Sequence, residues 1–391
     1  MRTISDILIL GGGCAGLSLA LRLAELDGPC PTTTVLEARG HYEADRTWCF
    51  WENEAARLKH VVSHRWNSVA VSAESREVKL DCAESPYAMI PAQRFYEHAT
   101  RQVIRHPEME IAMNAQVTSE PHKDAGLWHV TTTRGVFSGK CLIDTRPPRE
   151  AHSGDAILWQ SFSGYEVECD EPRFDPSTAR LMDFIESKSG GVCFVYLLPF
   201  SPQRALIEVT VFGPDPLGPG VLKEELECCV SQATLGVRYH VIRSEHGVIP
   251  MGSHPARDTN DPTHVVVGVA SGGARPATGF AFQRIQRWAE ECAWQLADGE
   301  PPLGHAADPP LLRFMDRLFL RVIKRHPDTA PDLFLRLFEL KHPAPLLRFL
   351  GDCGSVADCL RMICALPAGL FLGELSRSLF LPGIEKVKSQ G

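Results

Sequence analysis

Along "RALIEVTV" (Arg204–Val211) apolar and polar positions follow a period of two, with Ala205, Ile207, Val209 and Val211 on one face and Leu206, Glu208 and Thr210 on the other. Branched residues without Gly or Pro, entered from a Pro/Ser turn, predict a strand. One face is wholly apolar, and the opposite face carries a carboxylate at its middle. At the start of the chain, Asp6–Leu10 reads as a short strand, a glycine run follows, Gly16–Glu25 has helical periodicity, and Thr32–Ala38 is a second strand. That order places a parallel sheet at the N-terminus. Short strands are expected over 67–115 and 126–144, with a helix around Gln93–Arg105. From about Ile157 to Val248 the pattern is mostly strand-like, broken by Pro/Gly turns. A buried strand, a Gly-rich turn and a long helix come next. After the Pro-rich joint Gly299–Pro310, Leu and Phe recur at three- and four-residue spacing, which predicts a helical tail.

Composition narrows the picture little. The net charge of -8 gives no electrostatic case for nucleic acid, and no motif for binding it is present. The 13 cysteines are scattered, without paired C-x-x-C sets or Cys/His ligand spacing, so no structural metal site is expected and the thiols read as reduced, in a cytoplasmic protein. The first apolar run is too short for a secretory leader, and no apolar run reaches the ~18 residues of a membrane span.

"DILILGGGCAGLSLA" fits G-x-G-x-x-G with Gly11, Gly13 and Gly16 between a strand and a helix. Gly11 permits the tight turn, Gly13 lets a diphosphate approach the backbone, and Gly16 allows close packing of helix on strand. Glu37 closes the second strand about 20 residues further on, where an acid accepts from a ribose hydroxyl. A glycine turn without a ligand is the competing reading, and the strand–turn–helix context favours a dinucleotide. Two later segments, "CLIDTRPP" ending its strand in Asp144 and "VVVGVASGGARPATGFAF", resemble the late contacts of the FAD-binding fold of the glutathione-reductase and hydroxylase type. The candidate cofactor residues are therefore Gly11, Gly13, Gly16, Glu37, Asp144, Gly268, Gly272, Gly273, Thr278 and Gly279. That fold commonly ends its late strand in Gly-Asp; here Gly268-Val269 stands there.

Several segments in consistent order resemble the lycopene β-cyclase family: "DRTWCFW" (Asp45–Trp51), "MDF" (Met182–Phe184), "YLLPFSPQRALIEVT" (Tyr196–Thr210), "EHGVIPMG" (Glu245–Gly252), "GGARPATGFAF" (Gly272–Phe282) and the helical tail. The resemblance implies closure of the linear end groups of lycopene into rings, without net redox change but with reduced FAD and NAD(P)H as electron source. It also makes Glu208 the essential acid of the family's Ile/Leu-Glu-Asp/Glu-Thr motif, with Thr210 as its Thr. The family's second acid is Val209 here, on the face opposite Glu208. Asp45 and Glu245 are acids of matching motifs to which the sequence assigns no role. The implied fold is mixed α/β: a Rossmann-like FAD-binding parallel sheet (1–80, 127–160, 262–300), interleaved with an antiparallel β substrate domain (81–126, 161–261), then a helical region over 301–391.

Cyclising a polyene needs a proton delivered to a terminal double bond and a shielded cation afterwards. A carboxyl in an apolar setting keeps its proton near neutral pH, which suits Glu208 as donor. Glu208 as the final base, the reduced flavin as donor, and Glu208 as a solvated strand residue are the other readings. Aromatic faces attract cations; Trp48, Phe50, Trp51, Phe184 and Tyr196, with Leu206 and Thr210, are the substrate-pocket candidates. Arg313, Arg317, Arg321, Lys324 and Arg325, interleaved with Leu311, Leu312, Phe314, Leu318 and Phe319, form a basic amphipathic pattern suited to the cytoplasmic membrane surface; a solvated face on a packed helix is the alternative. A flavin oxidoreductase acting on another terpenoid and a non-catalytic flavin- or carotenoid-binding protein are the alternative functions.

Overall fold

A computed structural model of the chain describes residues 4–53, 58–147, 156–186, 188, 190–218, 220–252 and 259–380. Pro148 of the "CLIDTRPP" segment and 381–391 of the expected helical tail lie outside them. The elements run β1 (Ser5–Leu10), α1 (Cys14–Ala24), β2 (Thr33–Leu36), β3 (Thr47–Trp51), β4 (His64–Trp66), β5 (Ser68–Ala73), β6 (Arg76–Asp81), β7 (Tyr87–Pro91), α2 (Ala92–Val103) and β8 (Met109–Ala112). They continue with β9 (His122–Asp124), β10 (Leu127–Thr132), β11 (Gly135–Asp144), β12 (Leu158–Cys169), β13 (Thr178–Ile185), β14 (Val192–Pro199), β15 (Arg204–Gly213), α3 (Lys223–Thr234), β16 (Tyr239–Met251) and β17 (His264–Val266). The last are α4 (Phe282–Ala297), α5 (Pro310–Arg325), α6 (Ala330–Phe338), α7 (Ala344–Leu350), α8 (Val356–Ala365) and α9 (Ala368–Phe380).

The chain divides into two units. The first comprises Met1–Arg65, Tyr87–His152 and His254–Ala307. Its main sheet has the order β8-β2-β1-β11-β10-β9, with β17 beside β11. Pairings within β8, β2, β1, β11 and β17 are parallel, and β10 and β9 extend the sheet antiparallel. Both faces of β1 are covered, as a parallel sheet requires. Ile7 and Ile9 pack with Leu19 and Leu23 of α1 and Ile285 and Trp288 of α4, while Leu8 and Leu10 pack with Trp128, Val130 and Phe137 of the β10–β11 hairpin. Helix α1 is buried on every side after Cys14. Its Leu17 and Leu21 meet α2 and the small sheet β3-β7-β4.

The second unit comprises Trp66–Pro86, Ser153–Ser253 and Asp308–Gly391. Its sheet has the order β16-β12-β15-β14-β13-β5-β6 and is antiparallel except for β5 on β13. Ala205, Ile207, Val209 and Val211 of β15 pack under Leu226, Cys229 and Val230 of α3. The strand-like reading of 157–248 missed α3, which has helical spacing of those three residues and Glu224 and Glu225 in its first turn, where acids favour the helix dipole.

The division differs from the expected one at three places. Residues 66–80 supply β5 and β6 to the second sheet rather than to the dinucleotide unit. Within 81–126, β7 pairs β3 antiparallel and β8 pairs β2 in parallel, which ties most of that segment to the first unit. The C-terminal helices belong to the second unit, where Arg76 of β6 bonds Asp332 of α6 and Glu339. Short strands of this kind carry no sequence mark of the sheet they join, because pairing partners lie far away in the chain.

Candidate functional site

In the second unit the sheet register sets four residues in one row: Glu245 of β16, Gly164 of β12, Glu208 of β15 and Tyr196 of β14. Cross-strand partners point to the same face, so Glu208 and Glu245 flank a glycine on one face. A Cβ at Gly164 would lie 3.1 Å from Glu208 Cβ, and with glycine in that place no side chain stands between the two acids in the row. The next row in one direction is Arg243, Glu166 and Leu206; in the other it is Gly247, Phe162, Thr210, Phe194 and Phe184. Phe184, Tyr196, Leu206 and Thr210, expected near Glu208, thus share its sheet face.

Glu208 is 7 % exposed. Among the described residues its hydrogen bond comes from Thr210, whose Oγ1 donates to Glu208 Oε1 at 3.0 Å. Burial, then the negative charge of Glu245, raise its pKa to about 8, against the opposing pull of Thr210 and Arg243. The neighbouring acids are paired. Arg243 donates through Nη1 to Glu245 Oε2 and through Nε to Glu166 Oε2, each at 2.6 Å. Glu166 also accepts from Arg204. Although burial works against its charge, these two carboxylates raise the pKa of Arg243. Sequence reasoning missed this network: its members lie on three strands, and the only hint was an unexplained acid in "EHGVIPMG".

The first unit holds the dinucleotide candidates. Gly11 has φ +93°, and a Cβ on Gly16 would fall 1.9 Å from the Gly11 carbonyl oxygen. Gly13, by contrast, has no atom within 4 Å of where a Cβ would stand, and it caps α1 without a side-chain hydrogen bond. Its backbone is therefore open to an incoming group at a helix N-terminus whose first turn carries no acid. Glu37 differs from expectation. Its Oε2 accepts from the Gly12 N–H and Arg39 Nη2, and its Oε1 from the Arg39 N–H and Nε. A carboxylate has about four acceptor positions, so Glu37 holds the loop in place, and a ribose hydroxyl would have to share or displace one of these bonds. The Tyr42 hydroxyl, 2.5 Å from the position of a Gly12 Cβ, is buried without a hydrogen-bond partner among the described residues and offers a contact that the sequence did not reveal.

Asp144 ends β11 as expected, but both its oxygens accept from Arg146. Gly268 and Gly272 take φ of +107° and +92° around the short turn after β17. A Cβ on Gly273 would meet the Gly268 carbonyl oxygen at 2.6 Å. The Gly268 N–H donates to His305 Nε2 at 3.1 Å, and burial lowers the pKa of that imidazole to about 4, which keeps the nitrogen free to accept. Thr278 and Gly279 close a turn on the Arg275 carbonyl. The glycine loop, the late turn and the orphaned Tyr42 hydroxyl together fit a bound dinucleotide.

The aromatic candidates of "DRTWCFW" lie in this unit too. Phe50 and Trp51 are buried, and Trp48 and Phe50 stack on Phe282 at centroid distances of 5.5 and 5.2 Å. Trp51 packs on Tyr87. Their packing makes Phe50 and Trp51 core aromatics of the first unit, outside the sheet that carries Glu208.

The family model for lycopene cyclase protein matches residues 6–371. The chain belongs to the lycopene cyclase family. A lycopene beta-cyclase of Pantoea ananas is 29% identical over 288 residues, covering 71% of each chain. The fold is shared with a geranylgeranyl bacteriochlorophyll reductase-like protein of Thermoplasma acidophilum (13% identity, 97% of this chain and 99% of that one, TM-score 0.58). It is also shared with aklavinone-11 hydroxylase, solved with FAD and aklavinone (15% identity, 76% of this chain and 63% of that one, TM-score 0.53).

For this lycopene cyclase family member, the position next to Glu208 is decided by burial. Val209 is fully buried among Ile207, Val211 and α3, on the face away from Glu208. Val209→Glu is expected to lower the unfolding free energy by about 3–5 kcal/mol, the cost of an unpaired buried charge, as read by urea denaturation. Unchanged stability would mean that the side chain reaches another environment.

Proposed function

We propose that this protein is a lycopene β-cyclase that closes the linear end groups of lycopene to β-ionone rings by protonation, ring closure and deprotonation, in carotenoid biosynthesis. The observation that carries this reading is a buried carboxyl at the family's acid position, its pKa raised by burial and by Glu245, on a sheet face lined by Phe184, Tyr196 and Leu206. Glu208 transfers its proton to a terminal double bond, whose π electrons form the new C–H bond. The neighbouring double bond supplies the pair for the ring C–C bond, and loss of a ring proton to a base restores a double bond, so the product is an isomer. The faces of Phe184 and Tyr196 favour the transient cation, and burial keeps water from quenching it. Bound FAD, reduced at the expense of NAD(P)H, would supply negative charge of the kind that stabilises a cation. The open backbone at Gly13 would hold its diphosphate, in a turn that Gly11 and Gly16 make possible, with Tyr42 and the Gly268–Gly273 turn as further contacts.

Anaerobic incubation of lycopene with the protein, FAD and NADPH should give a product of unchanged mass with a shortened chromophore; a product heavier by one oxygen in air, and none without it, would make the protein a monooxygenase instead. Glu208→Gln should lower turnover at least about a hundredfold while flavin absorption and fluorescence show FAD still bound. The wild-type rate should fall as pH rises through about 8, where Glu208 loses its proton. Stability should follow the same group. The folded state binds more protons than the unfolded one between about 4.5 and 8, so this contribution is complete below 4.5 and lost by 8. Glu208→Gln should remove that slope from the difference between the two stability curves.

We also propose that the protein works at the cytoplasmic membrane surface, where a long hydrocarbon resides. Among the described residues no single helix is long and apolar enough to cross a membrane. The support is an apolar face on the C-terminal helices. Val356, Leu360 and Ile363 follow helical spacing on α8 at 65 %, 53 % and 45 % exposure, beside the buried stripe of Cys359 and Met362, and Leu372 of α9 is also exposed. Arg313, Arg317 and Lys324 of α5 are exposed as well, while its Leu320, Val322 and Ile323 face inward. Leu360→Glu with Ile363→Glu should weaken co-sedimentation with anionic phospholipid vesicles about tenfold or more, leaving circular dichroism unchanged. Equal sedimentation would remove α8 as the contact.

A further inference from the structure

We infer that Glu245 is the second carboxylate of the site, a positioning residue that keeps the proton on Glu208 from two strands away across the gap left by Gly164. The inference rests on Glu208 being the proton donor of the proposed cyclase and deepens that reading.

The groups facing Glu208 come from four strands. They are Arg204 and Thr210 on its own strand, Glu166 on β12, Arg243 and Glu245 on β16, and Tyr196 on β14. Helix α3, with its own acids, packs on the other face. Three carboxyl groups, Glu166, Glu208 and Glu245, therefore share a buried face with the Arg243 guanidinium, while Arg204 reaches Glu166 from the exposed end of β15. If all three acids were ionised, the cluster would carry one net negative charge in a site that water hardly reaches, which is costly. One bound proton brings it to neutrality.

The hydrogen bonds decide where that proton sits. Glu166 accepts from Arg204 and Arg243, and Glu245 accepts from Arg243 at 2.6 Å. Glu208 has a hydroxyl donor and no cation bonded to it among the described residues. It is the acid with the least support for a negative charge, so it takes the proton. Gly164 is what lets Glu245 act. In an antiparallel sheet, acids on strands two apart are separated by the side chain between them, and here that side chain is absent. The second acid expected next to Glu208 on its own strand points away, as Val209 does, and could not serve. A neighbour in the same register row can. After proton transfer the cluster holds one net negative charge, which favours return of a proton to Glu208 for the next turnover.

Infrared titration of the protonated-carboxyl stretch tests this without turnover, so it stands whether or not lycopene is the substrate. The band of Glu208 is assigned by its loss in Glu208→Gln. Glu245→Gln should move its midpoint down by about one pH unit or more, and Glu245→Asp, which keeps the charge, should hold it near the wild-type value. With lycopene, the alkaline fall in rate should move by the same amount in Glu245→Gln. An unmoved midpoint in Glu245→Gln overturns the inference, as does an equal shift in Glu245→Asp. If Glu245→Gln does not fold, Arg243→Gln reads the same coupling with the opposite sign: loss of the cation should raise the midpoint, and no change overturns the inference. Absence of any Glu208 band in the wild type at pH 6 would instead overturn the donor role itself.

Discussion

A charge imbalance on one face of a buried sheet governs the second unit. Strand β15 has no solvent face to spare: Ala205, Ile207, Val209 and Val211 lie under α3, and Leu206, Glu208, Thr210 and Phe212 are buried on the other side. A carboxyl placed there cannot be neutralised by water. It must find a cation or keep a proton. Arg243 and Arg204 are committed to Glu166 and Glu245, so the fold leaves Glu208 the second course. The same constraint that makes the residue an expense to the fold suits it to the proposed role of proton donor near neutral pH.

Missing side chains shape both units. Gly16 brings α1 against the Gly11 carbonyl, and Gly273 brings the late turn against Gly268. In each case a methyl group would collide with backbone, which cannot give way as a flexible side chain does. Gly164 acts differently, since a Cβ there would press on the Cβ of Glu208 at 3.1 Å, closer than ordinary contact. It clears a line between two acids rather than allowing two segments to touch. Gly13 is a third case, an open backbone at a helix N-terminus that nothing in the protein fills.

Much of this was legible in the sequence because it is local. Period-two alternation placed Glu208 and Val209 on opposite faces, and the glycine spacing located the β1–α1 turn. What was not legible depends on pairing between distant strands. The alliance of β5 and β6 with β13, the recruitment of β8 beside β2, and the row that joins Glu245 to Glu208 are all set by register across tens of residues. Glu37 shows a subtler limit. Its position after β2 was read correctly, but Arg39, two residues on, occupies its oxygens, and a fingerprint based on spacing does not see a neighbour's hydrogen bonds. Trp48, Phe50 and Trp51 show the reverse: their aromatic character suggested a substrate surface, whereas their partners Phe282, Phe95 and Tyr87 give them a packing role.

The replacement of an acid by Val209 then has a physical reading that a motif alone does not supply. On β15, adjacent positions face different solvents: one the sheet face with Tyr196 and Glu245, the other the apolar layer beneath α3. A carboxylate at 209 would have to be carried by that layer, among the buried apolar side chains of Val167, Ile207, Leu226 and Val230. Two acids that influence one proton must instead share a face, and on a sheet that means the same strand two residues apart or the same register row on another strand. Position 210 is a threonine that donates to Glu208 and therefore favours its ionised form. Burial opposes it, and a second carboxylate that adds to burial has to come from a neighbouring strand. Glu245, reached across Gly164, occupies the place where that influence has to come from.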